Sequence, residues 1–317
     1  PSAPVRRFRG YTEAVLAASL WGTSGIFAVR LFQLGLPPES LALLRPMVGG
    51  ALLVAVVLAR NVRGLAIERA GLALLVLVGG TAVGTFQLAY QRSTDAVGVP
   101  STVALLYLAP AIVAAASGPL LGEWPDRTRI ALLVVTLSGV WLSVAGADET
   151  VATFGSAGVG WGVLAGVSYG AYTLFGRFAA PRYGATLTTV YSTLGSCLFL
   201  MALAPVIRSP LVLPSSPVAW ALLFAFSLLT VAAAHLLFFH ALSQIDASRA
   251  SIATAVEPVV AATLATVLLG QGLSPLGWTG LAMVVVGVAG VGITAARESS
   301  GKARTDAGPA SESAGRE

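Results

Sequence analysis

The sequence predicts an all-α integral membrane protein in which ten transmembrane helices form two inverted five-helix repeats. Three observations lead to this fold class. Only 10% of the 317 residues are Asp, Glu, Lys or Arg and 56% are hydrophobic, whereas soluble proteins carry roughly 25% charged residues. The hydrophobic residues form long runs separated by short loops. A shared pattern of residues relates the two halves of the chain.

The shortage of charge excludes a soluble enzyme, a nucleic-acid-binding domain and a disordered chain, because too few charged side chains remain to cover a water-soluble surface. The sequence pI of about 9.8 is explained by basic residues that gather on one side of a membrane. The single cysteine, Cys197, cannot form an intrachain disulfide. Three arginines precede the first apolar run, as in a signal peptide, but no small-residue cleavage site follows, so we expect a retained first helix.

A helix needs about 20 apolar residues to cross a bilayer, and the runs between Gly, Pro and charged residues meet this requirement. Ten spans are predicted, at residues 12–30, 39–59, 69–91, 97–121, 128–147, 158–179, 184–206, 217–240, 247–269 and 275–296. We expect residues 1–11 to form a cytoplasmic N-terminal segment. The polar tail 297–317 is predicted to be disordered and cytoplasmic.

The distribution of Lys and Arg predicts the orientation of these spans. With both termini inside, fifteen of these residues fall on the cytoplasmic side, and only Arg30, Arg92 and Arg208 fall outside. This asymmetry follows the positive-inside rule. The sequence therefore predicts a multi-pass protein of the inner (plasma) membrane with both termini cytoplasmic.

The repeat is visible as an offset of 148 residues that aligns the chain with itself. The aligned pairs include Gly22 with Gly170, Pro110 with Pro258 and Gly139 with Gly287. Five spans fall in each half, 12–147 and 158–296, so the halves enter the membrane in opposite directions. Inverted repeats are common in secondary transporters, where the solute binds between the two halves. Channels and membrane enzymes contain repeats as well.

Several short motifs occur in the same order as in a known family. They are Trp21-Gly22, Arg45, Pro110 followed by Leu121-Gly122-Glu123, Glu257-Pro258, Leu269-Gly270 and Gly287. In this arrangement the chain resembles the drug/metabolite transporter superfamily, specifically the EamA-type transporters of ten helices. The resemblance implies export or exchange of small metabolites such as amino acids, without an ATP site. The chain departs from the family pattern at Pro46, at Gln271 and in Thr23-Ser24-Gly25.

Glu257 is the strongest candidate for a functional residue because its ionisable side chain lies near the middle of the predicted ninth helix. A charge there costs roughly 2.5–3.5 kcal/mol on insertion scales, so the carboxyl group should face a partner or a wet cavity, or be protonated. Ser251, Thr254 and Ala261 share its helical face. Glu257 is interpreted either as a substrate-binding and proton-coupling residue or as a buried acid that hydrogen-bonds to another helix next to the Pro258 kink.

Arg45 lies about two turns inside the second helix. It could hold a substrate carboxylate, pair with an acid, or extend its side chain to the membrane interface. His235 aligns with Gln87 through the offset, which suits either a pseudo-symmetric site or hydrogen bonds between helices. His235 and His240 are five residues apart and no Cys or carboxylate completes their set, so no metal site is predicted.

Aromatic residues with polar tips complete the candidate site. Trp21 aligns with Tyr169 through the offset, and Tyr172 follows on the same helical face. They could enclose a solute, or they could serve ordinary helix packing. The predicted substrate-binding set is Trp21, Ser24, Arg45, Gln87, Tyr90, Tyr107, Tyr169, Tyr172, His235 and Glu257.

The sequence therefore predicts a secondary transporter of small organic metabolites that works by alternating access. We expect its partners to be the solute, membrane lipids and a second copy in a homodimer. The fifth and tenth helices have few polar residues and are expected to face lipid or that second copy. No cofactor, metal or nucleic acid is expected, and no phosphate-binding loop or hydrolase motif occurs. The alternatives are a membrane-embedded enzyme acting on lipid-like substrates and a non-transporting structural or sensory membrane protein.

Overall fold

The computed structural model describes residues 3–60, 64–109, 112, 113, 116, 126–146, 156–242, 244 and 253–306. Within these ranges the regular elements are helices. The first half contains α1 (Ala3–Gly22), α2 (Ser24–Gln33), α3 (Pro38–Arg60), α4 (Arg69–Leu74), α5 (Gly80–Leu106) and α6 (Arg127–Ala145). The second half contains α7 (Ser156–Tyr183), α8 (Ala185–Leu203), α9 (Pro217–Ser227), α10 (Ala234–Leu242), α11 (Glu257–Leu264) and α12 (Pro275–Asp306).

Three π-helical turns connect or extend these helices. They are Leu75–Gly79 between α4 and α5, Leu228–Ala233 between α9 and α10, and Ala265–Leu269 after α11. Each π turn shifts the helical register by one residue, a feature that is common near functional sites.

Five helices of the described residues are long and apolar enough to cross a membrane. They cover Phe8–Gln33, Pro38–Arg60, Arg69–Leu106, Ala185–Leu203 and Pro217–Phe238. Shorter apolar helices cover Ile130–Ala145, Glu257–Leu269 and Pro275–Gly290. The all-helical prediction is therefore confirmed. The predicted spans 97–121, 128–147 and 247–269 lie partly outside the described residues. Pro110, Leu121-Gly122-Glu123 and Ser251 also lie outside them, and the number of spans stays a prediction.

Helix boundaries differ from the predicted spans at three places. The first span is interrupted between α1 and α2 at Thr23, whose Oγ1 donates a hydrogen bond to the carbonyl oxygen of Leu20 at 2.7 Å. The segment between the third and fourth spans was predicted as a loop, but it is helical and breaks only at Gly98. The last helix continues to Asp306 into the predicted disordered tail, because extending a formed helix is inexpensive once it is nucleated.

Gly98 makes the chain reverse inside α5. Its φ of 78° lies in the left-handed region that favours glycine. The adjacent Val99 N–H is satisfied by the Oε1 atom of Gln271 at 2.9 Å. Gln271, noted above as a departure from the family pattern, thus caps the backbone at this reversal.

The main helix contacts join the two halves of the chain. Helix α5 packs on α7, α6 on α12, α3 on α8, and α1 on both α10 and α11. The offset of 148 residues converts the contact between α1 and α10 into the contact between α7 and α5. It also maps the α3–α8 and α6–α12 contacts onto themselves. Exchanging the two halves through the offset therefore reproduces the same set of helix contacts between them.

Helices α6 and α12 meet through small residues, as expected for close packing in a membrane. A Cβ atom on Gly139 would lie 2.6 Å from the carbonyl oxygen of Gly280, and a Cβ on Gly280 would lie 2.6 Å from that of Gly139. The two backbones therefore touch at these glycines. Trp220 and Trp278 are exposed on the outside of the helix bundle, where interfacial aromatic residues are expected.

The glycine contact leads to a stability prediction. The variant Gly280→Ala should lower the melting temperature of the purified protein, because a methyl group would clash with the backbone of Gly139 and overpacking costs about 1–3 kcal/mol. Gly160→Ala is the matched control, since a Cβ atom there would meet no heavy atom within 4 Å. Equal melting temperatures for the two variants would contradict this account of the interface.

Candidate functional site

A cavity of about 230 Å³ lies among helices from both halves of the chain. Its wall is largely aromatic and aliphatic, with a few polar groups, which is the usual composition of a small-molecule site. The lining residues are Trp21, Ser24, Arg45, Val83, Phe86, Gln87, Tyr90, Leu106, Tyr169, Tyr172, Thr189, Thr193, Val231, His235, Phe238 and Glu257.

The structure brings together nine of the ten predicted site residues in this cavity. The nine are Trp21, Ser24, Arg45, Gln87, Tyr90, Tyr169, Tyr172, His235 and Glu257. Tyr107 does not line it. Instead, Tyr107 is half-buried and packs against the apolar clusters around Val140 and Val99.

Arg45 is held in the cavity wall by neutral groups. Its Nε and Nη2 atoms donate to Thr230 Oγ1 at 3.2 and 3.0 Å, and Nη1 donates to Gln87 Oε1 at 3.0 Å. The guanidinium carbon lies 4.5 Å from the centre of the Phe226 ring, within cation–π range. Arg45 forms no ion pair with a carboxylate of the described residues, and two of its five N–H groups stay available.

This geometry places the Arg45 side chain inside the helix bundle. Only 7% of the residue is exposed, so its side chain does not extend to the membrane interface. The hydrogen bonds point it toward α5 and the π turn before α10. Because its hydrogen-bonding partners are neutral, the guanidinium lies in the cavity wall without a direct ion pair among the described residues.

Glu257 lies at the first turn of α11 and faces the same cavity. Its carboxylate makes no hydrogen bond or ion pair within the part of the chain that the structure describes. Helix α1 approaches it closely, since a Cβ atom on Gly22 would lie 3.0 Å from the Glu257 carbonyl oxygen. The glycine thus lets α1 pack directly on the helix that carries the carboxylate, and Pro258 starts that helix without needing a donor partner.

His235 and Trp21 form the cavity wall between α1 and α10. The His235 Nδ1 atom lies 2.7 Å from the carbonyl oxygen of Val231, and Trp21 Nε1 donates to the carbonyl oxygen of Thr230 at 3.0 Å. These carbonyls become available where the π turn interrupts the regular helix. The two rings meet edge to face, with centroids 5.4 Å apart, so hydrogen bonds and ring packing fix both side chains.

A second part of the cavity wall is aromatic and lies on α5 and α7. The Phe86 ring lies 5.8 Å from Tyr90 and 5.4 Å from Tyr169, measured between ring centroids. Such tilted pairs are stabilised beyond their burial alone. The site therefore offers apolar aromatic faces together with one guanidinium and one carboxyl group within one enclosure.

The offset of 148 residues relates many of the lining residues in pairs. The pairs are Trp21 with Tyr169, Ser24 with Tyr172, Arg45 with Thr193, Val83 with Val231, Gln87 with His235 and Tyr90 with Phe238. Both members of every pair line the cavity. The two halves thus contribute equivalent positions but different chemistry.

Sequence reasoning missed three residues that matter to this geometry. Thr193 and Phe238 could have been found by applying the offset to Arg45 and Tyr90. No sequence signal indicates Thr230, because its offset partner is Ala82 and threonine is common in such helices. Its role as the acceptor for Arg45 depends on where the π turn places its hydroxyl.

A second polar cluster joins Arg9 and Glu13 in the middle of α1 to His240 and Gln244 at the end of α10, away from the cavity. Glu13 Oε2 accepts from Gln244 Nε2 and lies 2.7 Å from His240 Nδ1, and Arg9 pairs with Glu13 Oε1 at 2.9 Å. His240 is half-exposed there. No group of three or more His, Cys, Asp or Glu side chains suited to a metal ion occurs in the described residues.

Comparison with known proteins places the chain in a family. Residues 8–145 match the EamA-like transporter family, and residues 156–293 match it again. The two matches together span most of the chain. The chain belongs to the EamA-like transporter family. The start points of the two matches differ by the offset that relates the cavity residues, and this EamA protein is a multi-pass membrane protein.

Two relatives support the assignment. The chain is 26% identical over 278 residues to "Uncharacterized transporter YwfM" of Bacillus subtilis, covering 86% of this chain and 90% of the relative. It is 25% identical over 297 residues to "Uncharacterized inner membrane transporter YicL" of Salmonella typhimurium, covering 88% and 94%. A solved crystal structure of a protein matches the fold with a TM-score of 0.67 at 22% identity, over 94% of this chain and 99% of the other.

The arginine network leads to a prediction about stability. The variant Thr230→Val keeps the shape of the side chain but removes the hydroxyl that accepts from Arg45, so it should destabilise the protein by about 1.5–3 kcal/mol, the range for hydrogen bonds to charged groups. Thr193→Val is the matched control, because that hydroxyl faces the same cavity without a protein partner among the described residues. If thermal or denaturant unfolding gave equal losses for both, the Arg45–Thr230 bonds would not hold the site together.

Proposed function

We propose that this EamA-family protein is a secondary transporter, an exporter or exchanger that moves small organic metabolites such as amino acids across the inner membrane by alternating access. The observation that carries the proposal is the cavity. It contains a guanidinium and a carboxylate that are not paired with each other, in a wall of aromatic and aliphatic side chains. Buried unpaired charges are costly in a membrane, so their retention in one enclosure favours a ligand that contacts both.

A zwitterionic solute matches this arrangement. Its carboxylate would accept from the two N–H groups of Arg45 that have no protein acceptor, and its ammonium group would contact the carboxylate of Glu257. An apolar side chain would then lie against the aromatic wall formed by Phe86, Tyr90 and Tyr169. Each contact replaces hydration that the solute loses on entering the cavity, and so makes desolvation less unfavourable.

The proposed architecture has ten helices in two inverted halves, with both termini cytoplasmic. The offset pairs in the cavity wall and the symmetric pairing of helices support it. Alternating access would follow from rocking one half against the other around the shared site. The inner membrane is supported by the name of the Salmonella relative, and both relatives are named for transport rather than for catalysis.

A substrate experiment tests this proposal. Purified protein in proteoliposomes should show saturable counterflow of a labelled amino acid, identified first by thermal shift against a metabolite panel. The matching amine without its carboxylate should compete poorly, because Arg45 would lose its partner. Absence of saturable counterflow for every compound that stabilises the protein would reject transport. Equal competition by the amine would reject the role of Arg45.

A second experiment tests proton coupling through Glu257. The variant Glu257→Gln should abolish uptake driven by a pH gradient while leaving the protein folded, because an amide cannot release a proton during the cycle. Glu68→Gln is the matched control, since Glu68 is exposed outside the cavity. Unchanged proton-driven flux in Glu257→Gln would reject Glu257 as the coupling residue and leave another group in that role. Absence of proton-driven flux in the unmutated protein would instead indicate facilitated diffusion.

A further inference from the structure

Buried polar atoms without partners are concentrated in one short segment of α5. Six side-chain nitrogen or oxygen atoms are buried without a hydrogen-bond partner in the described part of the chain, and four belong to Gln91, Arg92 and Ser101. Gln91 is the extreme case, because it is fully buried and neither its Nε2 nor its Oε1 atom has a partner. An unmade hydrogen bond of a buried amide costs free energy, so the position needs a physical explanation.

Gln91 lies on the cavity-facing side of its helix. It follows Gln87 by four residues, and Thr94 follows Gln87 by seven, so the three side chains share one helical face. Gln87 lines the cavity and accepts from Arg45. Gln91 and Thr94 therefore continue the polar face of the cavity by one and two turns, toward the reversal at Gly98.

The two arms of the reversal are held together by polar contacts. Ser93 and Thr102 share a hydrogen bond of 2.9 Å between their hydroxyl oxygens. Gln91, Ser93, Thr94, Ser101 and Thr102 are all buried. A buried polar band thus separates the cavity from the end of the bundle that the positive-inside rule places outside.

Arg92 closes this end of the bundle. Its Nη2 atom pairs with Glu39 Oε1 at 2.6 Å at the start of α3. Its guanidinium carbon lies 5.1 Å from the centre of the Trp161 ring near the start of α7. Arg92 therefore joins α3, α5 and α7, and the contact with Trp161 links the first half of the chain to the second.

We propose that Gln91 and Thr94 line the outer part of the solute pathway, which Arg92 keeps closed in this conformation. The inference rests on the proposed transport function and adds the residues through which the cavity opens outward. When the halves separate at Trp161, the amide of Gln91 becomes hydrated and can hydrogen-bond a passing polar solute. In the closed conformation the Gln91 amide lacks hydrogen bonds. This raises the free energy of the closed conformation and so reduces the free-energy difference to the open one.

Cysteine accessibility tests the pathway. In a Cys197→Ala background, the variant Gln91→Cys should react with a charged, membrane-impermeant methanethiosulfonate reagent added to right-side-out vesicles. Minor conformations are populated at roughly 0.1–10%, so the reaction should be about ten- to a thousandfold slower than at an exposed site. Leu213→Cys serves as that exposed reference in the predicted outer loop between α8 and α9.

The matched control is Ser143→Cys. Ser143 is also fully buried with an unpartnered hydroxyl, but it lies in the α6–α12 interface, away from the cavity, and should not react. Reaction of Gln91→Cys no faster than that of Ser143→Cys, or reaction only from the inner side, would overturn the inference. Counterflow is also measured on the Cys197→Ala parent protein, so its absence there rejects the transport function, whereas failed labelling of Gln91→Cys with intact counterflow in the parent rejects only this pathway.

A second variant tests whether Gln91 serves the solute pathway or the stability of the closed protein. Gln91→Leu removes the unpartnered amide with little change of volume, so it should raise the melting temperature and slow counterflow. A lower melting temperature would show that the amide is satisfied in the closed protein and would overturn the inference. Ser143→Ala is the control, because it removes a buried unpartnered hydroxyl outside the pathway and should leave counterflow unchanged.

Discussion

The hydrogen bonds of Arg45 to Thr230 and Gln87 are the interaction on which the site depends. In a hydrocarbon environment a guanidinium cannot stay without acceptors, because no water is available to replace them. Neutral acceptors satisfy the donors without neutralising the charge. The network therefore ties α3 to α5 and to the π turn before α10. It also holds the guanidinium at the cavity, where the proposed solute would present its carboxylate.

The backbone irregularities serve this arrangement. The π turn Leu228–Ala233 places the Thr230 hydroxyl toward Arg45 and its carbonyl toward Trp21, and the carbonyl of Val231 toward His235. The break at Thr23 has a local hydrogen bond to Leu20, and the backbone at the Gly98 reversal is satisfied by Gln271 from the other half of the chain. Membrane helices tolerate such irregularities only where other groups satisfy the freed backbone atoms, and here those groups lie around the cavity or next to the polar band above it.

Duplication with divergence explains the composition of the wall. Equivalent positions in the two halves converge on one cavity because the cross-half helix contacts map onto each other through the offset. The residues at those positions differ: Arg45 corresponds to Thr193 and Gln87 to His235. The two halves thus contribute equivalent positions to the cavity but different polar groups, which suits the proposed solute with distinct ends.

The sequence by itself determined the helical class, the positions of five long apolar helices and nine of the residues that line the cavity. It could do so because ionisable and aromatic residues are rare inside apolar runs and because the offset relates them in pairs. The tertiary structure decided the rest. Distances between helices place Arg45 at the cavity and bring Thr230 within reach as its acceptor. They also leave Tyr107 packed elsewhere and Gln91 buried without hydrogen-bond partners. Periodicity along one helix carries no information about those distances.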